Sequence, residues 1–226
     1  MAKRNRNTKS KTVQRAERQQ YLIYSSIILI ILVLVAYVAY TIITAPPEVA
    51  EARLQEEAFI GQQNAPVEVI EYGAYGCYSC RYVHQSGVLQ QVLDRYGDQI
   101  QLKFRNWPVI SPTNDPLAAE AAQCVLDQGT GAFWTYHNAL FDLSNSEYSQ
   151  HQHTEDFVAL ADEVGLDADA VQSCLDSNTH ERTVQYWKNY AERNQMRVTP
   201  TFFVNGQRLN DATQLETAVE SALGVN

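Results

Sequence analysis

Charge is missing from the 226-residue chain between Tyr21 and Thr44, "YLIYSSIILIILVLVAYVAYTIIT". A globular surface helix keeps a polar face, so this absence argues against an ordinary buried helix. The stretch is also too long for a cleaved leader, whose apolar core runs to about 15 residues. The "AEA" at 50–52 is the one sign in favour of cleavage. Cysteine is scarce too, with four in all, and none precedes residue 77. No second C-x-x-C and no H-x3-H accompanies the pair at 77 and 80. A structural zinc site, which takes about four ligands from paired clusters, is thereby disfavoured. There is no internal repeat and no basic surplus outside the first twenty residues.

What is present divides the chain by charge. Seven Lys or Arg against Glu17 give residues 1–20 a charge of +6, and with the whole chain at −9 the remainder carries −15. A basic flank before an apolar run is a topology signal. Residues 1–20 are therefore expected as a cytoplasmic tail and 21–44 as a single transmembrane anchor in the plasma membrane. At about 1.5 Å per residue the run spans about 36 Å, enough for a hydrocarbon core. "APPEVAEARLQEEA" (45–58) is expected as a solvated stalk, and residues 59–226 as one extracytoplasmic domain. The acidity of that domain argues against nucleic acid as a partner.

The domain reads as α/β. "PVEVIEYGAY" (66–75) is a mostly apolar run suited to a buried central strand, and a helical pattern follows from Tyr78 to about Tyr96. "QIQLKFRNW" alternates Ile100, Leu102 and Phe104 with polar residues, a second strand. Helical patterns fill about 113–195, with Asp115 and Thr154 as candidate caps and "SNSEYSQHQH" as a polar loop. "TFFVNG" is a strand ending in an Asn-Gly turn, which favours a hairpin through "QRL". Asp211 with Gln214 opens a last helix, closed by Gly224. Strand, helix, strand, helical block, hairpin and helix describe a thioredoxin-type fold with an inserted all-helical subdomain, here preceded by the transmembrane helix.

Cys77 and Cys80 fall where the first strand gives way to a helix. A sulfur at a helix N-terminus meets unpaired N–H groups and the positive end of the dipole, which favour its thiolate. A second sulfur one turn in can close a disulfide with it. Pro200, in "VTPTFFVNG", directly precedes a strand, an awkward place for proline unless its peptide bond is cis.

"IGQQNAPVEVIEYGAYGCYSC", "FRNWPV", "AAEAAQC…GAFWTYHNALF" and "VTPTFFVNG" together resemble the DsbA-like thioredoxin-fold proteins, particularly their membrane-anchored Gram-positive-type branch. The resemblance covers nearly all of 58–224. It implies a Cys77–Cys80 redox disulfide with Cys77 as exposed nucleophile, and Thr199–Pro200 as a cis-proline loop beside it that binds substrate peptide. It also implies a buried acid at Glu71 that exchanges protons with Cys80; an edge carboxylate is the plainer reading of the strand alone. The sequence departs from the family at Tyr78-Ser79, where strongly oxidising members carry Pro-His. A less stabilised thiolate means a less oxidising disulfide.

Cys124 and Cys174 each lie in a helical pattern, 50 residues apart. Outside the cell a structural disulfide is expected; two buried free thiols are the alternative. His151 and His153 read as solvated loop histidines rather than metal ligands. No cofactor and no metal is expected. The function expected is a membrane-anchored protein thiol–disulfide oxidoreductase that forms disulfides in exported proteins and is reoxidised by a quinone-linked membrane partner. A reductase or isomerase of the same fold is the alternative, and a metal-delivery protein using Cys77, Cys80 and His84 is a third reading.

Overall fold

The computed structural model describes residues 22–34, 37 and 57–225. Residues 22–34 are helical with exposed side chains. Among the described residues no helix is long and apolar enough to cross a membrane. Most of 35–44, the tail 1–20 and the stalk up to residue 56 lie outside the described residues. Residues 1–48 and 49–226 form separate units.

The second unit is built on a five-stranded sheet in the order β1-β3-β2-β4-β5. Its strands are β1 (Phe59–Gly61), β2 (Val67–Gly73), β3 (Ile100–Asn106), β4 (Thr201–Val204) and β5 (Gln207–Arg208). β2 and β3 run parallel from Val67↔Ile100 to Gly73↔Asn106, and the other pairings are antiparallel. β2 is central and buried on both faces, as its near-continuous apolar run requires. β3 buries Ile100, Leu102 and Phe104 and leaves the residues between half-exposed. Asn205 and Gly206 both take positive φ in the β4–β5 turn.

The helix expected over 78–96 is two helices, α1 (Tyr78–Gln85) and α2 (Val88–Tyr96). Gly87 sits between them at φ +78, a left-handed conformation that ends the first helix and that glycine adopts without steric penalty. Gly97, the C-cap of α2, is right-handed. The insertion comprises α3 (Asn114–Leu126), α4 (Thr130–Asp142), α5 (Asn145–Gln150), α6 (Thr154–Glu163), α7 (Ala168–Asp176) and α8 (Glu181–Arg193). α9 (Leu215–Leu223) closes the chain. The expected polar loop at 144–153 contains α5, whose start is fixed by a Ser144–Glu147 capping box. His153, not Thr154, precedes α6 as its cap, and Asp115 caps nothing.

Apolar side chains form three clusters. α2 and α9 cover one sheet face through Leu89, Val92, Leu215 and Val219. α8 covers the other face with Trp187 and Ala191 against Ile70 and Tyr72. The third cluster joins the insertion to the cysteine-bearing loop through Tyr75, Cys80, Phe104, Phe133 and Phe141. Two residues assigned to the stalk belong to the domain. Ala58 is buried, and Glu57 forms ion pairs with Arg105 and Lys103 on β3. These contacts, together with the pairing of β1 to β3, tie residues 57–61 to the folded unit.

Candidate active site

β2 ends at Gly73, and a short turn carries the chain to Cys77, the N-cap of α1. The turn is closed by the Cys77 amide donating to the Ala74 carbonyl at 3.0 Å. The Cys77 Sγ then accepts from the Cys80 amide at 3.3 Å, so the sulfur occupies the place of a capping oxygen. Both cysteines are free thiols in this structure. Cys80 is fully buried, and Cys77 is only 5% exposed rather than open as expected. The reason is the loop lying against it: the Thr199–Pro200 bond is cis, and the Cys77 thiol is 3.3 Å from the Thr199 carbonyl oxygen. Across that bond the Thr201 hydroxyl donates to the Val198 carbonyl at 2.6 Å, bracing the loop.

The two sulfurs are electrostatically unlike. The Cys77 thiol is pulled from 9.0 down to about 6, first by the Cys80 thiol donating to it and also by the Cys80 and Ser79 backbone N–H groups, against an opposing effect of burial. The Cys80 thiol is pushed well up by burial, by its bond to Cys77 and by the charge of Glu71. At neutral pH the pair therefore holds one thiolate, at Cys77, and one thiol, at Cys80.

Glu71 is 1% exposed, so it is a buried acid and not an edge carboxylate. Its Oε2 lies 2.9 Å from His84 Nε2, and its Oε1 has no hydrogen-bond partner among the described residues. His84 follows Cys80 by one helical turn and stacks on Phe141, with ring centroids 4.0 Å apart. Beyond it lies His137, fully buried, with Nδ1 3.1 Å from the Tyr75 hydroxyl. Burial, and secondarily the nearness of His84, hold His137 far below the usual imidazole range, so it is neutral. His84, weighed with Cys77 and Cys80 as a metal ligand, meets Glu71 through Nε2, and the three do not form a group of donor atoms within 4.8 Å of one another. Among the described residues the one trio of donor atoms within 4.8 Å of one another is Cys124, Cys174 and His180. There the two sulfurs are bonded to each other. His151 and His153 serve the α5–α6 junction: His151 Nδ1 meets the Glu147 carbonyl, and the His153 amide donates to Asp156.

Three residues that hold the site escaped the sequence reading. The Asp115 carboxylate accepts from the amides of Gly76, Ile110 and Ser111 and from the Tyr148 hydroxyl. Arg81, buried on α1, donates to the Tyr75 carbonyl and to Asn145. His84 was weighed as a metal ligand, not as the partner of Glu71. The signal for Arg81 and Asp115 was faint: a charged residue in an otherwise apolar environment, which a helical pattern alone reads as a surface position or a cap.

The thioredoxin family model matches residues 53–221 of this chain. The probable disulfide bond formation protein D of Bacillus anthracis is 25% identical over 169 residues, covering 73% of this chain and 77% of that protein. The crystal structure of oxidised BdbD from Bacillus subtilis superposes with a TM-score of 0.67 at 23% identity, covering 76% of this chain and 95% of that one. That of alpha-DsbA1 from Wolbachia pipientis gives 0.63 at 20% identity, covering 75% and 90%. A C-x-x-C pair at a strand–helix junction, a cis-proline loop on its first sulfur and a family match over most of the sequence lead to one assignment: the chain belongs to the thioredoxin family, as a DsbA-like thiol–disulfide oxidoreductase.

Proposed function

We propose that this protein forms disulfide bonds in exported polypeptides, working from the outer face of a membrane to which residues 21–44 anchor it. The observation that carries the oxidase direction is the Cys77 thiol at about 6 beside a buried Cys80 thiol pushed well up. Stabilising the thiolate stabilises the reduced pair and so makes its disulfide more oxidising. The lowering of the Cys77 thiol is in the sense that strengthens an oxidant of this fold. With Tyr78-Ser79 in place of Pro-His, the Cys80 thiol and then the Cys80 and Ser79 amides at the helix start supply the stabilisation.

In the oxidised enzyme a substrate thiolate attacks Cys77 Sγ, forming a mixed disulfide and releasing Cys80 as a thiolate. Cys80 takes up a proton from Glu71, the carboxyl buried nearby. A second substrate thiolate attacks the substrate sulfur of the mixed disulfide. The substrate disulfide forms and Cys77 leaves as the stabilised thiolate, so two electrons have passed from substrate to the cysteine pair. The Thr199–Pro200 loop, its carbonyl already at Cys77, aligns the substrate backbone. Regeneration requires a partner that withdraws those two electrons, and a quinone-linked membrane protein fits an anchored enzyme. The charge-free 24-residue run and its basic flank support the anchor and its orientation.

The test is equilibration of the full-length protein in glutathione buffers. A potential above about −200 mV is expected. A value near the about −270 mV of thioredoxin overturns the oxidase direction and assigns a reductase.

A further inference from the structure

When Cys80 exchanges its proton with Glu71, that proton must still reach water, and the surrounding groups leave few routes. Cys80 and His137 are 0% exposed, and Glu71 and Tyr75 are 1% exposed. Glu71 Oε1 has no hydrogen-bond partner among the described residues, so its one hydrogen-bonded exit is Oε2, 2.9 Å from His84 Nε2. His84, with a side chain 12% exposed, is the one member of the group that reaches the surface. Its ring is held for this by the parallel face of Phe141 at 4.0 Å and by the edges of Phe104 and His137. The titratable groups facing it are Glu71 from β2 and His137 from α4. His137 is neutral and engaged with Tyr75, so it neither supplies nor blocks a proton.

We infer that His84 is a positioning residue that carries the redox proton between Glu71 and solvent. The inference rests on the reading that Glu71 exchanges protons with Cys80. On disulfide opening the Cys80 thiolate takes the Glu71 proton, the Glu71 carboxylate takes one from Nε2 of the protonated His84 ring, and the neutral ring regains its proton from solvent. On re-formation of the disulfide each transfer reverses. Cys77 takes up no proton of its own, because its thiolate is held by the Cys80 thiol and by the amides at the helix start.

The experiment uses full-length reduced protein and oxidised glutathione, with the two steps resolved by rapid mixing. Attack by Cys77 forms the mixed disulfide, and attack by Cys80 releases it. His84→Gln keeps a hydrogen-bonding group and removes the titratable one. The variant is expected to form the mixed disulfide at the wild-type rate. It is expected to resolve it roughly ten- to a hundredfold more slowly, with added imidazole buffer restoring part of the loss. Resolution at the wild-type rate throughout the pH range overturns the inference. Glu71→Gln separates the two readings. If it slows resolution and His84→Gln does not, the Glu71 relay stands and the His84 route falls; if neither slows it, both fall. A third measurement needs no variant: in wild-type protein the pH profile of the resolving step should inflect where NMR shows the His84 ring titrating. A profile without that inflection also overturns the route.

Discussion

Asp115 and Gly76 are joined by a hydrogen bond of 3.0 Å, from the glycine amide to the carboxylate, that ties the helical insertion to the residue before Cys77. The same oxygen accepts from the Tyr148 hydroxyl at 2.8 Å, and the other accepts from the Ile110 and Ser111 amides. A Cβ on Gly76 would stand 2.4 Å from that carboxylate oxygen and 3.0 Å from the Tyr148 ring. The insertion thus sets the turn that presents the nucleophile.

Four donors on one buried carboxylate make Asp115 hard to replace. In Asp115→Asn one oxygen becomes an NH2 group: turned to Ile110 and Ser111 it faces two amide donors, and turned to Gly76 and Tyr148 it faces one, because the tyrosine hydroxyl can rotate to accept. The expected destabilisation is about 1–3 kcal/mol, the penalty of the one buried donor left unpaired in the better orientation. Tyr148→Phe removes one of the four and should cost about 1 kcal/mol. Urea denaturation of both variants checks the ranking, and an Asp115→Asn protein as stable as wild type contradicts the role.

The Cys77 thiol at about 6 has a consequence for stability with a definite sign. Its folded value lies below the unfolded value of 9.0, so the contribution is fully present above pH 9 and is lost as pH falls through about 6. At pH 7 it amounts to about 1.4 kcal/mol in favour of the folded reduced protein, equivalent to about 30 mV in the potential. Thiolate absorbance should show a midpoint near 6 that disappears in Cys77→Ala. The stability difference between the reduced wild type and that variant should shrink as pH falls from 9 to 5. A midpoint near 9 removes both expectations.

Much of this site could be read from the residues themselves. The period-two burial of Ile100, Leu102 and Phe104 appears in β3 as written in the sequence, and Cys77 opens α1 where the strand pattern stops. Periodicity reports which face a side chain turns to a core, not which side chain it meets there. The pairing of Glu71 with His84 arises only when α1 folds back along β2, so each residue alone looked like something else. Asp115 follows the same logic: it suited a helix cap, but its carboxylate turns back to the amides of 110–111 and meets Gly76 and Tyr148 from elsewhere in the chain. β1, three residues with two exposed, carries too little pattern to stand out.

Glu57 offers a test of where the domain begins. Its carboxylate pairs with Arg105, whose guanidinium lies 4.1 Å from the centre of the Trp187 ring, and with Lys103. All three charged side chains are mostly buried, with relative exposures of 12–17%. Glu57→Ala leaves the Arg105 charge inside the structure without a carboxylate partner among the described residues. The expected loss is about 2–4 kcal/mol, more than an exposed pair is worth. Thermal unfolding of the variant measures it; a change within about 0.5 kcal/mol, typical of surface positions, would return Glu57 to the stalk.

The bond between Cys124 and Cys174 joins α3 to α7 across 50 residues. Constraining a loop of that length stabilises the fold by about 4 kcal/mol in the chain-entropy model. The double variant Cys124→Ala/Cys174→Ala should unfold at lower urea by a corresponding margin. Neither sulfur neighbours the Cys77–Cys80 pair in a shared donor group, so the Cys77 titration near 6 should survive the change. A variant that keeps its stability but loses that titration would show the second disulfide to be coupled to the redox pair rather than a staple of the insertion.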